Sequence, residues 1–331
     1  MNLPVNPEPG ATASSQNVKP VIVIAGPTAS GKSALAVDLA EHVPGIVINA
    51  DSMQVYRGLE ILTSAPDATM RARAPHRLFG VLSPDKHCSA GEWRDLAIAE
   101  ICAAHEADQL PIVVGGTGLY LRTLMAGIAQ MPAIPTDVRE RVRASLVRDG
   151  SVSLHERLSQ RDPDTAGRLS EHDSQRICRA LEVLEATGRT LSDWHRDGAR
   201  PADLGGLKFL TILVMPPRDE LYPACDARFS QMLESGALDE VRCLAERDLD
   251  PALPAMKALG VPHLLDHLKG DLTLEEARRL GQQATRRYVK RQVTWFKRQI
   301  VADIVIDTTY SERELDKIFP YISNILLTCR V

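Results

Sequence analysis

Residues 26 to 33 read Gly26-Pro27-Thr28-Ala29-Ser30-Gly31-Lys32-Ser33, directly after the apolar run Val21-Ile22-Val23-Ile24. This G-x-x-x-x-G-K-[ST] pattern requires a strand, then a loop whose glycines let backbone N–H groups turn inward, then a helix. Inward amides and the positive end of a helix bind phosphate oxygens. Lys32 adds a mobile positive charge and Ser33 offers a hydroxyl to Mg²⁺. The motif therefore specifies phosphate, and fits an ATP- or other nucleotide-binding loop, without specifying a reaction. Kinases, nucleotide-driven switches and transferases with a diphosphate leaving group all use it.

The strand–loop–helix rhythm continues. Ile46-Val47-Ile48, Ile112-Val113-Val114, Leu210 to Met215 and Ile304-Val305-Ile306 are further short apolar runs. Helical patterns over Ser33–Glu41 and Glu92–Asp108 separate the first ones. Apolar strands alternating with helices predict an α/β fold, a P-loop NTPase-like parallel sheet with helices on both faces. Residues 137–202 carry helical patterns, many arginines and no strand-like run, and predict an all-helical insertion domain within a core formed by 21–136 and 203–308. Residues 1–20, rich in Pro, Asn and Ser, read as a disordered leader. Residues 309–331 read as a tail.

Net charge is −4, so no global basic field points to a nucleic acid, and any such partner must be held by local patches. No run of 18 apolar residues predicts a membrane span, and the leader lacks the apolar centre of a signal peptide. The six cysteines lie far apart without a C-x-x-C pair, the pattern of reduced thiols in a cytoplasmic protein.

In doubly wound sheets ligands lie beyond the carboxyl ends of the strands. The second run leads into Asn49-Ala50-Asp51-Ser52-Met53-Gln54, and the third into Gly115-Gly116-Thr117-Gly118. Asp51 and Thr117 thus fall beside the phosphate loop, an acid and a hydroxyl suited to a reaction centre. A helix cap at Asp51 and a satisfied turn at Thr117 are the competing readings.

Two helices suit RNA. Asp173 and Gly188 bracket one as N-cap and C-cap, with Ile177, Leu181 and Leu184 on one face and Gln175 and Arg179 opposite. In the second, Val289, Val293, Phe296 and Ile300 make a core stripe, Arg286, Lys290, Arg291, Lys297 and Arg298 a cationic flank, and Tyr288, Gln292, Trp295 and Gln299 the other. Cations suit phosphates, while glutamine and aromatic edges suit unstacked bases. A solvated basic helix, with Tyr288 and Trp295 as additional core, explains the same pattern.

The blocks GPTASGKS, NADSMQVYRGL, PIVVGGTGLYLR, DSQRICRALEV and RRYVKRQVTWFKRQ occur in the order seen in the tRNA dimethylallyltransferase (tRNA isopentenyltransferase) family, which the chain resembles from about Val21 to Ile306. The resemblance implies transfer of a dimethylallyl group from dimethylallyl diphosphate to the exocyclic amino group of the adenosine 3′ of the anticodon. Asp51 becomes the general base and Thr117 its partner in the reaction channel. The loop from Gly26 to Ser33, joined by Arg228, binds diphosphate, with Mg²⁺ as cofactor. The implied tRNA contacts are Asp51, Ser52, Met53, Gln54, Thr117, Arg139, Gln175, Arg176, Ile177, Cys178, Arg179, Lys257, Gly260, Lys290, Arg291, Gln292, Trp295 and Lys297. The partner is a tRNA anticodon stem-loop, and the family suggests a monomer.

The match departs from the family at Ile61-Leu62-Thr63-Ser64-Ala65-Pro66, which lacks a usual lysine, and at Pro75 to Gly80, where two histidines and an aspartate are usual. Ser170-Glu171-His172-Asp173 and Gly260-Val261-Pro262 also differ. His76 reads as a structural or surface histidine and not as catalytic. Two rivals remain: a small-molecule or nucleoside kinase, with the insertion as a lid, and a non-catalytic, nucleotide-gated RNA-binding protein.

Overall fold

A computed structural model describes residues 18–127, 132–197 and 205–329 of the chain. They form two compact units, Met1–Met125 with Asp203–Val331 and, separately, Ala126–Ala202.

The first unit is built on six strands, β1 (Lys19–Ala25), β2 (Gly45–Asn49), β3 (His76–Arg77), β4 (Leu110–Gly115), β5 (Leu207–Val214) and β6 (Ile304–Ile306), in the order β3-β2-β4-β1-β5-β6. Every pairing is parallel; Val23 lies opposite Val113 and Ile24 opposite Ile212. Strand side chains alternate between faces. Val21, Val23, Ile48 and Val113 therefore join Trp93, Ile101 and Leu121 in one core, while Ile22, Ile24, Val47 and Ile112 join Leu35 and Leu39 in another. Helices cover both faces, which is why the strands read as unbroken apolar runs.

Three details depart from the sequence reading. β3 is a two-residue edge strand without a β-branched run, and so gives no sequence signal. Its His76 is half-buried, with its ring nitrogen 2.8 Å from the Ala74 carbonyl. Lys19 and Pro20, assigned to the leader, belong to β1; residues 1–17 lie outside the described residues. Residues 309–331, read as a tail, contain the helix Glu312–Cys329, which buries Leu315 and Ile322 on the sheet.

In the second unit the Thr136–Arg161 segment is two helices that meet at a kink at Gly150. It packs on the Ser174–Thr187 helix through Val142, Leu154, Leu158, Ile177 and Leu181. Asp173 caps the latter helix by accepting from the Arg176 amide, and Gly188 ends it in the left-handed region. Among the described residues no helix is long and apolar enough to cross a membrane.

Candidate active site

β4 stands between β1 and β2, so the Thr117 loop falls between the phosphate loop and Asp51. The phosphate loop leaves β1 at Ala25 and enters the Lys32–His42 helix. Gly31 caps that helix at φ 87°, a conformation that disfavours side chains. A Cβ there would also lie 2.8 Å from Cβ of Tyr310. The loop is thus backed by the C-terminal segment: the Tyr310 amide donates to the Ser30 carbonyl at 3.3 Å, and its phenol donates to Asp38 at 2.6 Å.

A cleft of about 260 Å³ opens beside the loop. Thr28, Lys32, Ser33, Asp51 and Arg228 supply polar lining, and Met53, Leu62, Phe229, Met232 and Leu259 apolar lining. Ser52, Gln54, Lys257 and Arg291 also reach it. Lys32 Nζ donates to the Pro27 carbonyl at 3.2 Å. Burial pushes its pKa down to about 8, Asp51 opposes that shift and Arg228 adds to it. Burial also lowers the Arg228 pKa, and Arg228 forms no ion pair within 4 Å among the described residues. Two cations lining one cavity suit an anion.

Asp51 is held through its backbone. Asn49, fully buried, accepts from the Asp51 amide at 2.7 Å and donates to the Asp51 and Leu78 carbonyls, each at 3.0 Å. Asp51 Oδ1 accepts from the Met53 amide at 2.9 Å. Oδ2 lies toward Gly116. Thr117 Oγ1 accepts from the Ser52 amide at 2.9 Å, so its hydroxyl ties two strand ends together. Gln54 donates to the carbonyls of Thr63 and Ser64.

The long helix Leu274–Gln299 separates the remaining expectations. Lys290, Arg291 and Lys297 are exposed. Arg286 is not free, forming an ion pair with both Asp226 oxygens. On the flank read as base-contacting, Gln292 bonds the strand-end loops at Thr28 and Gly116, the Trp295 ring packs where a Gly118 Cβ would project, and Gln299 accepts from Arg122 at the surface. Gln292, whose side chain is buried, is a correction to the RNA-contact reading, because periodicity alone does not distinguish a buried polar face from a wet one; Trp295 stays partly exposed. Gly260 is another correction. It is buried at φ 93°, and a Cβ would lie 2.8 Å from the Phe229 ring.

Arg139, Gln175 and Arg176 are exposed and Arg179 is partly so, all in the helical unit. Ile177 and Cys178 are buried in that unit's core, so their side chains are not offered to RNA. Sequence reasoning missed Asn49, and it read Tyr288 as a base-contacting edge or extra core without placing it in the cleft. Tyr288 lines the cleft facing the Thr117 hydroxyl, and burial raises its phenol pKa, keeping it neutral. Its position i−4 from Gln292 was the available signal.

Residues 54–299 match the family model described as IPP transferase. The chain belongs to the IPP transferase family. The family match begins after the phosphate loop and Asp51, which rest on motif and geometry. A tRNA dimethylallyltransferase of Rhodospirillum centenum is 58% identical over 284 residues, covering 86% of this chain and 90% of that protein. One of Nitrobacter hamburgensis is 55% identical, covering 84% and 88%. Among solved structures, the tRNA isopentenylpyrophosphate transferase of Bacillus halodurans has 32% identity and a TM-score of 0.66, covering 94% of this chain and 98% of that one. A eukaryotic dimethylallyltransferase acting on tRNA reaches 0.77 at 28% identity, covering 92% and 80%. As an IPP transferase family member, the chain is an enzyme.

Proposed function

We propose that the enzyme transfers a dimethylallyl group from dimethylallyl diphosphate to the exocyclic amino group of the adenosine 3′ of the anticodon, releasing diphosphate. One observation carries this reading: Asp51 shares a cleft with two cations, Lys32 and Arg228, and the same cleft is lined by Met53, Leu62, Phe229, Met232 and Leu259. A phosphorylated isoprenoid has that distribution of charge and grease.

In the transfer the allylic C–O bond breaks and its electron pair leaves with the diphosphate. The loop amides, Lys32 and Arg228 stabilise that charge. The adenine nitrogen forms the new C–N bond and gives its proton to Asp51. Thr117 holds the Asp51 turn through Ser52. Mg²⁺ fits the donor set, since Ser33 and Asp51 supply hard oxygens to the same cleft and this ion readily completes its shell with phosphate oxygens and water. When bound it would neutralise diphosphate charge. Lys257, Lys290, Arg291 and Lys297 on one unit, and Arg139, Gln175, Arg176 and Arg179 on the other, are the proposed contacts to the tRNA anticodon stem-loop. The enzyme acts as a monomer.

A single-turnover assay with labelled dimethylallyl diphosphate and an A-rich anticodon stem-loop tests the reading. Label in the RNA supports it, and unlabelled RNA removes it. A kinase would instead hold Mg-ATP more tightly than dimethylallyl diphosphate.

A further inference from the structure

Gln292 lies in the middle of the cationic stretch of the long helix, yet it is only 5% exposed. Its Oε1 accepts from the Thr28 amide at 2.9 Å, and its Nε2 donates to the Gly116 carbonyl at 2.9 Å. The bonds cross 264 and 176 residues of sequence. One reaches the phosphate loop after β1, the other the loop after β4 that carries Thr117. Thr285, Tyr288 and Gln292 share a helix face by their spacing, and the first two line the cleft. Arg291, next in sequence, is exposed and also lines it.

We propose that Gln292 is a positioning residue, which clasps the phosphate loop to the Thr117 loop and ties both to the cationic helix. The inference rests on the prenyl-transfer reading for its catalytic consequence. A primary amide satisfies both bonds at any pH, because its oxygen accepts from Thr28 and its nitrogen donates to Gly116. The spacing between diphosphate and Asp51 is then set by a residue that touches neither substrate. Misplacement of reacting groups by about 1 Å costs on the order of a hundredfold in rate.

Gln292→Ala and Gln292→Glu test it. An ionised carboxylate accepts from Thr28 but repels the Gly116 carbonyl, whereas a protonated carboxyl accepts and donates as the amide does. Burial and the neighbouring Asp51 raise the pKa of the introduced group. Tyr288 on the same helix stays neutral, but Lys32 on the phosphate loop titrates near this range, so every rate is divided by the wild-type rate at the same pH. At pH 8 both variants should lose about a hundredfold in kcat while stem-loop affinity and its salt slope stay as in wild type. From pH 8 to 5.5 the relative rate of Gln292→Glu should climb by about tenfold or more, and that of Gln292→Ala should stay flat. A flat ratio for both, or lost stem-loop affinity with kcat intact, overturns the proposal. Inorganic pyrophosphate binding separates this from the transfer reading: should wild type fail to prenylate RNA, Gln292→Ala must still weaken pyrophosphate by roughly tenfold. Unchanged pyrophosphate affinity would overturn the clasp whatever the reaction.

Discussion

The Ser52 amide donates to Thr117 Oγ1 at 2.9 Å, and that hydroxyl lies 3.2 Å from Ser52 Oγ. Ser52 follows the Asp51 carboxylate by one residue, while Thr117 belongs to the neighbouring strand end. The bond makes the position of the acid a property of two strands. Thr117→Ser should therefore keep most of the activity. Thr117→Val, which leaves the Ser52 amide without an acceptor, should lower kcat by about a hundredfold. Equal rates in steady-state assays of the two variants would contradict this coupling.

Asp51→Asn keeps the side-chain oxygen that accepts from Met53 but removes the base. Prenyl transfer should fall by about 10²- to 10⁴-fold, with stem-loop affinity nearly unchanged in a filter-binding titration. Near-normal turnover would remove Asp51 from the chemistry.

Lys32 sets a pH limit on anion binding. In the empty cleft its pKa is about 8, and a bound diphosphate raises it by direct charge pairing. Below pH 8 the ammonium is already charged and its contribution is constant. Above pH 8 binding must take up a proton, so pyrophosphate affinity should fall by up to about tenfold per pH unit. Lys32→Met, carrying only the ligand's own titration, should lack that extra fall. Parallel wild-type and Lys32→Met calorimetric profiles would count against it.

The cationic helix does not contribute evenly. Lys290→Ala and Lys297→Ala should each lower the salt slope of stem-loop binding by about one unit. Arg286→Ala should leave it unchanged, because Arg286 is already paired with Asp226. A slope lost only with Arg286 would reverse the assignment.

Gly260→Ala places a methyl in a left-handed position against the Phe229 ring. Urea unfolding should show a loss of about 1–3 kcal/mol, whereas stem-loop affinity of the folded fraction should be that of wild type. The opposite pattern would return Gly260 to the RNA surface.

Some of this was local and therefore legible. The phosphate loop is eight consecutive residues whose glycines and lysine carry their own chemistry. The apolar runs of β1, β2, β4, β5 and β6 announce a sheet covered on both faces, and Asp173 and Gly188 bracket a helix through contacts within one turn. Asp51 and Thr117 follow from strands ending where ligands gather.

Other features were not local. The edge strand His76–Arg77 exists only because β2 offers it partners, and the segment after residue 308 is a packed helix because the sheet leaves room beside Leu35 and Val214. Periodicity placed Gln292 and Trp295 on a helix flank but could not say what that flank meets. Hydrophobic patterning marks a face buried by greasy contacts; a face buried by an amide meeting backbone groups 264 and 176 residues away leaves no such pattern. The chain alone determined where the glycine loop lies and which acid stands near it. The tertiary structure decided which polar side chains remain free for a partner, since that depends on where distant backbone donors and acceptors come to lie.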